Sequence, residues 1–421
     1  VARRRRQAAL TIGALCLVAA TASSASSPFG PRLSAGGPDA EAYGASKGYP
    51  VGDRARWHQV PYRVGSFSHL DQILEARVIR RPAAASVLAR VASEPPLRYQ
   101  YAGESLGIDE YLARNPATGL IIARGETILV ERYQYARNDR HRLTSWSMAK
   151  TFTAMLVGIA IAEGRIRSVD DQAATYVPAL TGTAYGSTSL RHLLQMSSGV
   201  RFVENHSGQD DLARLLGDTI GHAGPGGVEA VKPYNERVRP SGTAFSYASA
   251  ESQVLGLVLT SAVGRPVAEY FEEKIWKPIG AEADASWLID RAGQEATWCC
   301  LNAVLRDYAR LALLIAHGGT WRGRPVIPAQ WIDDAIRMRP EQPHLLPGIA
   351  HPFAGYGYHV WINPGARKTY SASGALGQWM FVDPASRVVM VHTAVRKRAD
   401  DPGDRETNVL WRAVVQRLAA P

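Results

Sequence analysis

Ser147 and Lys150 stand three residues apart in a run, residues 144–164, that is apolar almost everywhere else. At i and i+3 on a helix the two side chains project from one face, and near the helix's positive end a hydroxyl would meet an amine able to take its proton. The lysine is the more telling of the pair. The chain carries seven lysines against forty-one arginines, so its generic surface cation is Arg. Burial disfavours an ammonium and lowers its pKa, and only Lys can be made neutral and basic in that way. A lysine that snorkels to the surface beside a structural serine is the alternative.

Two further groups could join them. Tyr247, within Phe245-Ser246-Tyr247-Ala248-Ser249, would sit where a loop enters the helix 250–263, and a phenol near an ammonium can relay a proton. Ser249 is placed to act as N-cap of that helix. The stretch Tyr370 to Gln378 contains Gly374 and Gly377, which permit close backbone approach, so an edge strand here could turn its N–H groups on a substrate. A bulged hairpin is the competing reading. Loops at 202–206 and 297–302 offer polar groups on irregular stretches. Asn205, His206 and Asn302 are therefore candidate substrate contacts, together with Ser249, Gly374 and Gln378.

These groups need a scaffold. One helix is expected within 144–164, its start capped by Thr144 or Ser145 and its end closed by Gly164 in a left-handed conformation. The β-rich runs 118–123 and 127–133, joined by Arg124-Gly125-Glu126, read as a hairpin. Helical patterns dominate about 165–340, with 190–196, 212–216, 251–263 and 303–317 the clearest. Strands return at 357–362, 369–373, 378–382 and 388–393 before a last helix at 405–418. This order predicts an α/β (α+β) fold, an antiparallel sheet built from N- and C-terminal strands, flanked by helices, with a mostly helical lobe inserted. The junction of sheet and lobe is the natural cleft.

The chain has 421 residues and a net charge of +10; four of the positive charges are Arg3 to Arg6, and removing them leaves a scattered +6 that argues against nucleic-acid binding. Those arginines, the apolar stretch 8–20 and Ala20-Thr21-Ala22 have the form of a secretory signal over 1–22. Export to the periplasm or beyond is expected, with retention by an uncleaved anchor as the alternative. No other stretch reads as a membrane span. Residues 23–60 should form a poorly ordered or wrapping arm and 61–117 an extension over the main domain, 118–421. Outside the signal the only cysteines are the adjacent Cys299 and Cys300, and neighbouring Cα atoms about 3.8 Å apart favour two buried thiols over a bridge.

Taken together, Trp146-Ser147-Met148-Ala149-Lys150, Tyr247 and the Gly374 strand, in that order, resemble the serine β-lactamase and penicillin-binding-protein superfamily. Val169-Asp170-Asp171 and Leu190-Arg191-His192-Leu193-Leu194 fit its class C-like branch of esterases, D-aminopeptidases and 6-aminohexanoate-dimer hydrolases. The resemblance covers about 115–420. It implies Ser147 as acylated nucleophile, Lys150 as its base, Tyr247 as proton relay, and the backbone N–H groups of Ser147 and Ala375 as oxyanion hole. It implies a small amide or ester as substrate, and neither metal nor cofactor.

Two departures bear on specificity. Where many relatives carry Lys-Thr-Gly this chain has Ala372-Ser373-Gly374, and the missing cation would have recognised a substrate carboxylate. Where they carry Tyr-x-Asn it has Tyr247-Ala248-Ser249, without the amide. The 6-aminohexanoate-dimer hydrolase group shares both departures. A D,D-peptidase or β-lactamase, or a catalytically silent envelope-binding homologue, are the alternatives.

Overall fold

The computed structural model describes residues 30–399 and 401–418; the signal-like segment 1–22 lies outside them. Its organising element is the hairpin Ala117–Arg124 and Thr127–Tyr133, whose turn places Gly125 at φ 57°, a conformation glycine adopts without steric cost. The expected hairpin is therefore present. Its first strand is apolar on both faces because both are covered: Ile121 and Ala123 join the main core, while Leu120 and Ile122 face the C-terminal helix Gly403–Leu418.

The C-terminal strand Val388–Ala394 pairs antiparallel with Ala117–Arg124, so the sheet is assembled from both ends of the chain. Beyond Val388–Ala394 follow Gln378–Asp383, Tyr370–Gly374 and the short Trp361–Ile362 and Gly355–Tyr356. On the other side two short strands, Arg32–Leu33 and Ala89–Arg90, pair parallel with Thr127–Tyr133, so the sheet is mixed at that edge.

Helices Leu190–Leu194, Asp211–Asp218, Ser249–Val263 and Leu305–Ala316 lie where the sequence carries helical patterns. The inserted region is not wholly helical. Ala285–Leu288 and Leu301–Ala303 form a second small sheet with Ala76–Ile79 and Leu143–Thr144. Residues 30–117 wrap the domain, with Tyr43, Tyr49, Trp57 and Phe67 buried in its main core. Among the described residues no helix is long and apolar enough to cross a membrane.

Candidate active site

Ser147 lies in a single 3-10 turn, Trp146–Met148, that runs into the buried helix Ala149–Ala162. Neither Thr144 nor Ser145 caps that helix. The Ser145 hydroxyl instead donates to the Trp146 carbonyl and accepts from the Leu301 N–H, which ties the Ser147 turn to the second sheet. Gly164 is left-handed as expected, at φ 69°. Trp146 adopts φ 43°, a costly conformation for a bulky residue, and strain of this kind persists only where the surroundings enforce it. The Trp146 side chain packs against residues of the N-terminal extension. Trp57 stacks on Trp146 at 6.0 Å, Phe67 meets it edge-on at 5.6 Å, and the Phe67 carbonyl accepts from the Thr144 N–H.

Lys150 is 1% exposed. Its Nζ donates to Ser147 Oγ and to the Trp298 carbonyl, both at 2.8 Å, and lies 5.0 Å from the centre of the Tyr247 ring. Burial lowers its pKa to about 8, opposed in part by the charge of Glu204. Burial, and then the Glu204 charge, push the Tyr247 phenol well above the usual tyrosine range, against a hydrogen bond with Ser147. Its ring is held by Trp361, stacked at 5.7 Å and 12°, beside Phe245 and Tyr356. His359, which burial and then the Lys150 charge keep neutral, with a pKa of about 3, has its ring against Ser252.

The Gly374 strand reaches the same place. A Cβ on Gly374 would come within 2.4 Å of the Ser145 carbonyl and 2.9 Å of the Ser147 nitrogen, so only glycine lets the strand approach this closely. The strand lies inside the sheet order, not at its edge, but the pairing with Trp361–Ile362 ends at Ser371 and leaves 372–374 open on that side. Ala375 follows in the hairpin loop to Gln378.

Several expected contacts turn out to be scaffold. Gln378 is buried, donating to the Ala375 and Ala394 carbonyls and accepting from the Ala394 N–H; it pins the loop that carries Ala375 and does not face the cleft. Asn302 is buried in the Leu301–Ala303 strand, donating to Ser286 Oγ and the Cys300 carbonyl, because the stretch 297–302, expected as a loop, becomes a strand from Leu301. Asn205 and His206 are exposed, with their N–H groups bound to Asp210.

Ser249 is the first residue of its helix, not the N-cap. The half-buried Glu204 takes the capping role from a distant loop: its carboxylate accepts from the Ser249 N–H at 2.8 Å and from the Ser249 hydroxyl at 3.0 Å. Burial pushes the Glu204 carboxyl up, while Lys150 and Ser249 hold it down. Glu204 belongs to the 202–206 loop, but no local pattern distinguishes it from its neighbours there. Cys299 and Cys300 are bridged, contrary to the expectation of two thiols. Cys300 is left-handed at φ 68°, and that backbone turn brings the two side chains together across a Cα separation of 3.7 Å.

A hydroxyl, a buried amine, a phenol and a closely approaching glycine strand form one constellation. The sequence profile of the beta-lactamase family matches residues 108–413, and the chain belongs to that family, within the serine β-lactamase and penicillin-binding-protein superfamily. A 6-aminohexanoate-dimer hydrolase of Paenarthrobacter ureafaciens is 24% identical over 357 residues, which span 83% of this chain and 88% of that protein. A solved Bacillus anthracis structure assigned as a 6-aminohexanoate-dimer hydrolase has a TM-score of 0.79 at 22% identity, over 88% of this chain and 98% of the other. A penicillin-binding-protein homologue from Caulobacter crescentus shares the fold at a TM-score of 0.56 and 18% identity, over 73% and 94% of the two chains.

Proposed function

We propose that the protein is a serine hydrolase that cleaves a small amide or ester through a covalent acyl-enzyme on Ser147, in the manner of a 6-aminohexanoate-dimer hydrolase. The observation that carries this reading is the contact between Lys150 Nζ and Ser147 Oγ at 2.8 Å, made by an amine that burial has brought to a pKa of about 8. In its neutral form that amine accepts the Ser147 proton as Oγ attacks the substrate carbonyl carbon. The oxyanion then lies between the N–H groups of Ser147 and Ala375, where each donor contributes about 3 kcal/mol of transition-state stabilisation.

Tyr247, kept as a neutral phenol, donates its proton to the leaving nitrogen or oxygen and regains one from the Lys150 ammonium. Water then attacks the acyl carbon, gives a proton to the same pair, and Ser147 departs with a proton restored to Oγ. The substrate side of the site is short of positive charge. Ala372 replaces the cation that would bind a carboxylate, and Glu204 adds a negative group within electrostatic reach of Lys150 and Tyr247. Both features favour amides and esters without a carboxylate beside the scissile bond, and the partly exposed rings of Trp361 and Phe245 beside Tyr247 favour apolar ones. The Cys299–Cys300 bridge supports the export expected from residues 1–22, since disulfides persist in oxidising compartments.

Ser147→Ala should abolish both turnover of p-nitrophenyl esters and short amides and covalent labelling by a fluorophosphonate. Full activity in that variant ends the proposal.

A further inference from the structure

The bridged pair Cys299–Cys300 lies in the middle of a short segment that grips the nucleophile region twice. On one side of the pair the Trp298 carbonyl accepts from Lys150 Nζ at 2.8 Å. On the other, Leu301 exchanges hydrogen bonds with Ser145: its carbonyl accepts from the Ser145 N–H at 2.8 Å and its N–H donates to Ser145 Oγ at 3.1 Å. The segment thus holds the residue two before the nucleophile and the amine three after it. Both cysteines are fully buried, and every carbonyl from Ala296 to Cys300 has a donor, including Trp287 Nε1 on Ala296 and Cys299, Thr153 on Thr297 and the Leu288 N–H on Cys300. Such hydrogen bonds place the segment, but each can lengthen or exchange. A ring closed between adjacent residues restricts the dihedrals on both sides of the peptide bond that joins them, and so fixes the spacing of the flanking grips.

We propose that the Cys299–Cys300 ring is a positioning element for catalysis, holding the Trp298 carbonyl on the Lys150 amine in fixed register with the Ser145 anchor of the nucleophile turn. The inference rests on the reading of Lys150 as base to Ser147. The other titratable groups facing this amine are Glu204 from the 202–206 loop, Tyr247 at the entrance of the Ser249–Val263 helix, and His359. The ring is joined through the backbone to Trp298, whose carbonyl accepts from Lys150 Nζ, so a change confined to the ring reaches the amine by that route. Losing a carbonyl that accepts from the ammonium removes a contact that favours the charged form, and the amine then deprotonates at lower pH.

The test is Cys299→Ala, which opens the ring and leaves the Cys300 side chain in the sequence. The expected result is a kcat lower by roughly ten- to a hundredfold, from a base displaced by a fraction of an ångström, with KM within about twofold. The acid limb of kcat/KM moves to lower pH, and the rate of fluorophosphonate labelling falls with kcat. A variant that loses thermal stability but keeps wild-type kcat per labelled site and an unmoved acid limb overturns the proposal. Should Cys299→Ala not accumulate folded, the same readouts are taken on Cys299→Ser and on wild type reduced by dithiothreitol, where the bridge takes up two electrons and two protons and the reagent closes to its own cyclic disulfide. Ser147→Ala run alongside separates the two claims. Turnover retained there removes the underlying reading, whereas a dead Ser147→Ala beside an unaltered ring-opened enzyme removes only the role of the ring.

Discussion

Lys150 and Arg310 are both cations on buried helices, each with a side chain about 1% exposed, and their surroundings are opposite. Arg310 is fully compensated: it binds Asp307 at 2.8 Å, Glu282 at 2.9 Å and the Ser86 carbonyl at 2.6 Å. Lys150 has two neutral oxygens, and Glu204 acts on it only through its field. A guanidinium stays charged and must be paired, whereas an amine can shed its proton and be left with neutral partners. The contrast separates a cation that holds the structure from one able to shed its proton.

The sharpest way to break that comparison is to remove each cation in turn. Lys150→Met should lower kcat/KM by about a thousandfold, within the range for loss of a positioned base, while the fold is as stable or more so. Because burial depresses the Lys150 pKa to about 8, the stability gained by Met is greatest below pH 8 and fades as pH rises toward the value of an unfolded lysine. Arg310→Ala should do the reverse. Leaving the buried Asp307 without its cation costs about 3–5 kcal/mol in denaturant unfolding, and the surviving folded fraction keeps its turnover per labelled site. If both variants lose mainly stability, the distinction between them is gone.

Smaller effects sharpen it. Tyr247→Phe should reduce kcat by about a hundredfold with little change in KM, since only the proton relay is lost. Gly374→Ala should cost roughly ten- to a hundredfold in kcat, because the new methyl presses on Ser145 and displaces the Ser147 N–H. Least of all, Glu204→Gln should move the acid limb of kcat/KM, which in wild type rises through about pH 8 as Lys150 loses its proton, to lower pH. Glu204 favours the ammonium, so removing its charge lets the amine form sooner; a limb that moves upward or stays fixed would show that its field does not reach the base.

The legible parts of the site are those carried by local spacing. Ser147 and Lys150 are neighbours through one turn of backbone, and the scarcity of lysine in the chain is enough to mark the second of them. The hairpin around Gly125 and the apolar run 149–162 are legible for the same reason, since turn chemistry and burial on every side leave their mark in local residue type. Ser249 has the look of an N-cap and is not one, because its partner, Glu204, lies 45 residues away and leaves no mark near the helix it caps. Gln378 and Asn302 mislead in another way: a buried amide that pins a loop and an exposed one that binds substrate look alike in sequence.

By itself the sequence determined which residues could do chemistry and which elements would carry them. Residue type fixes what a group can do, and periodicity fixes which face of its own element it occupies. Only the tertiary structure decided what surrounds those groups. It put Trp57 and Phe67 against a strained Trp146, brought Gly374 to the Ser147 nitrogen, closed the Cys299–Cys300 ring beside the Lys150 acceptor, and withheld a contacting carboxylate from that lysine. All but the ring closure itself join parts of the chain far apart in sequence. The lowered pKa of Lys150 comes from desolvation and from the partners it lacks, and both are properties of the folded neighbourhood, not of the residue.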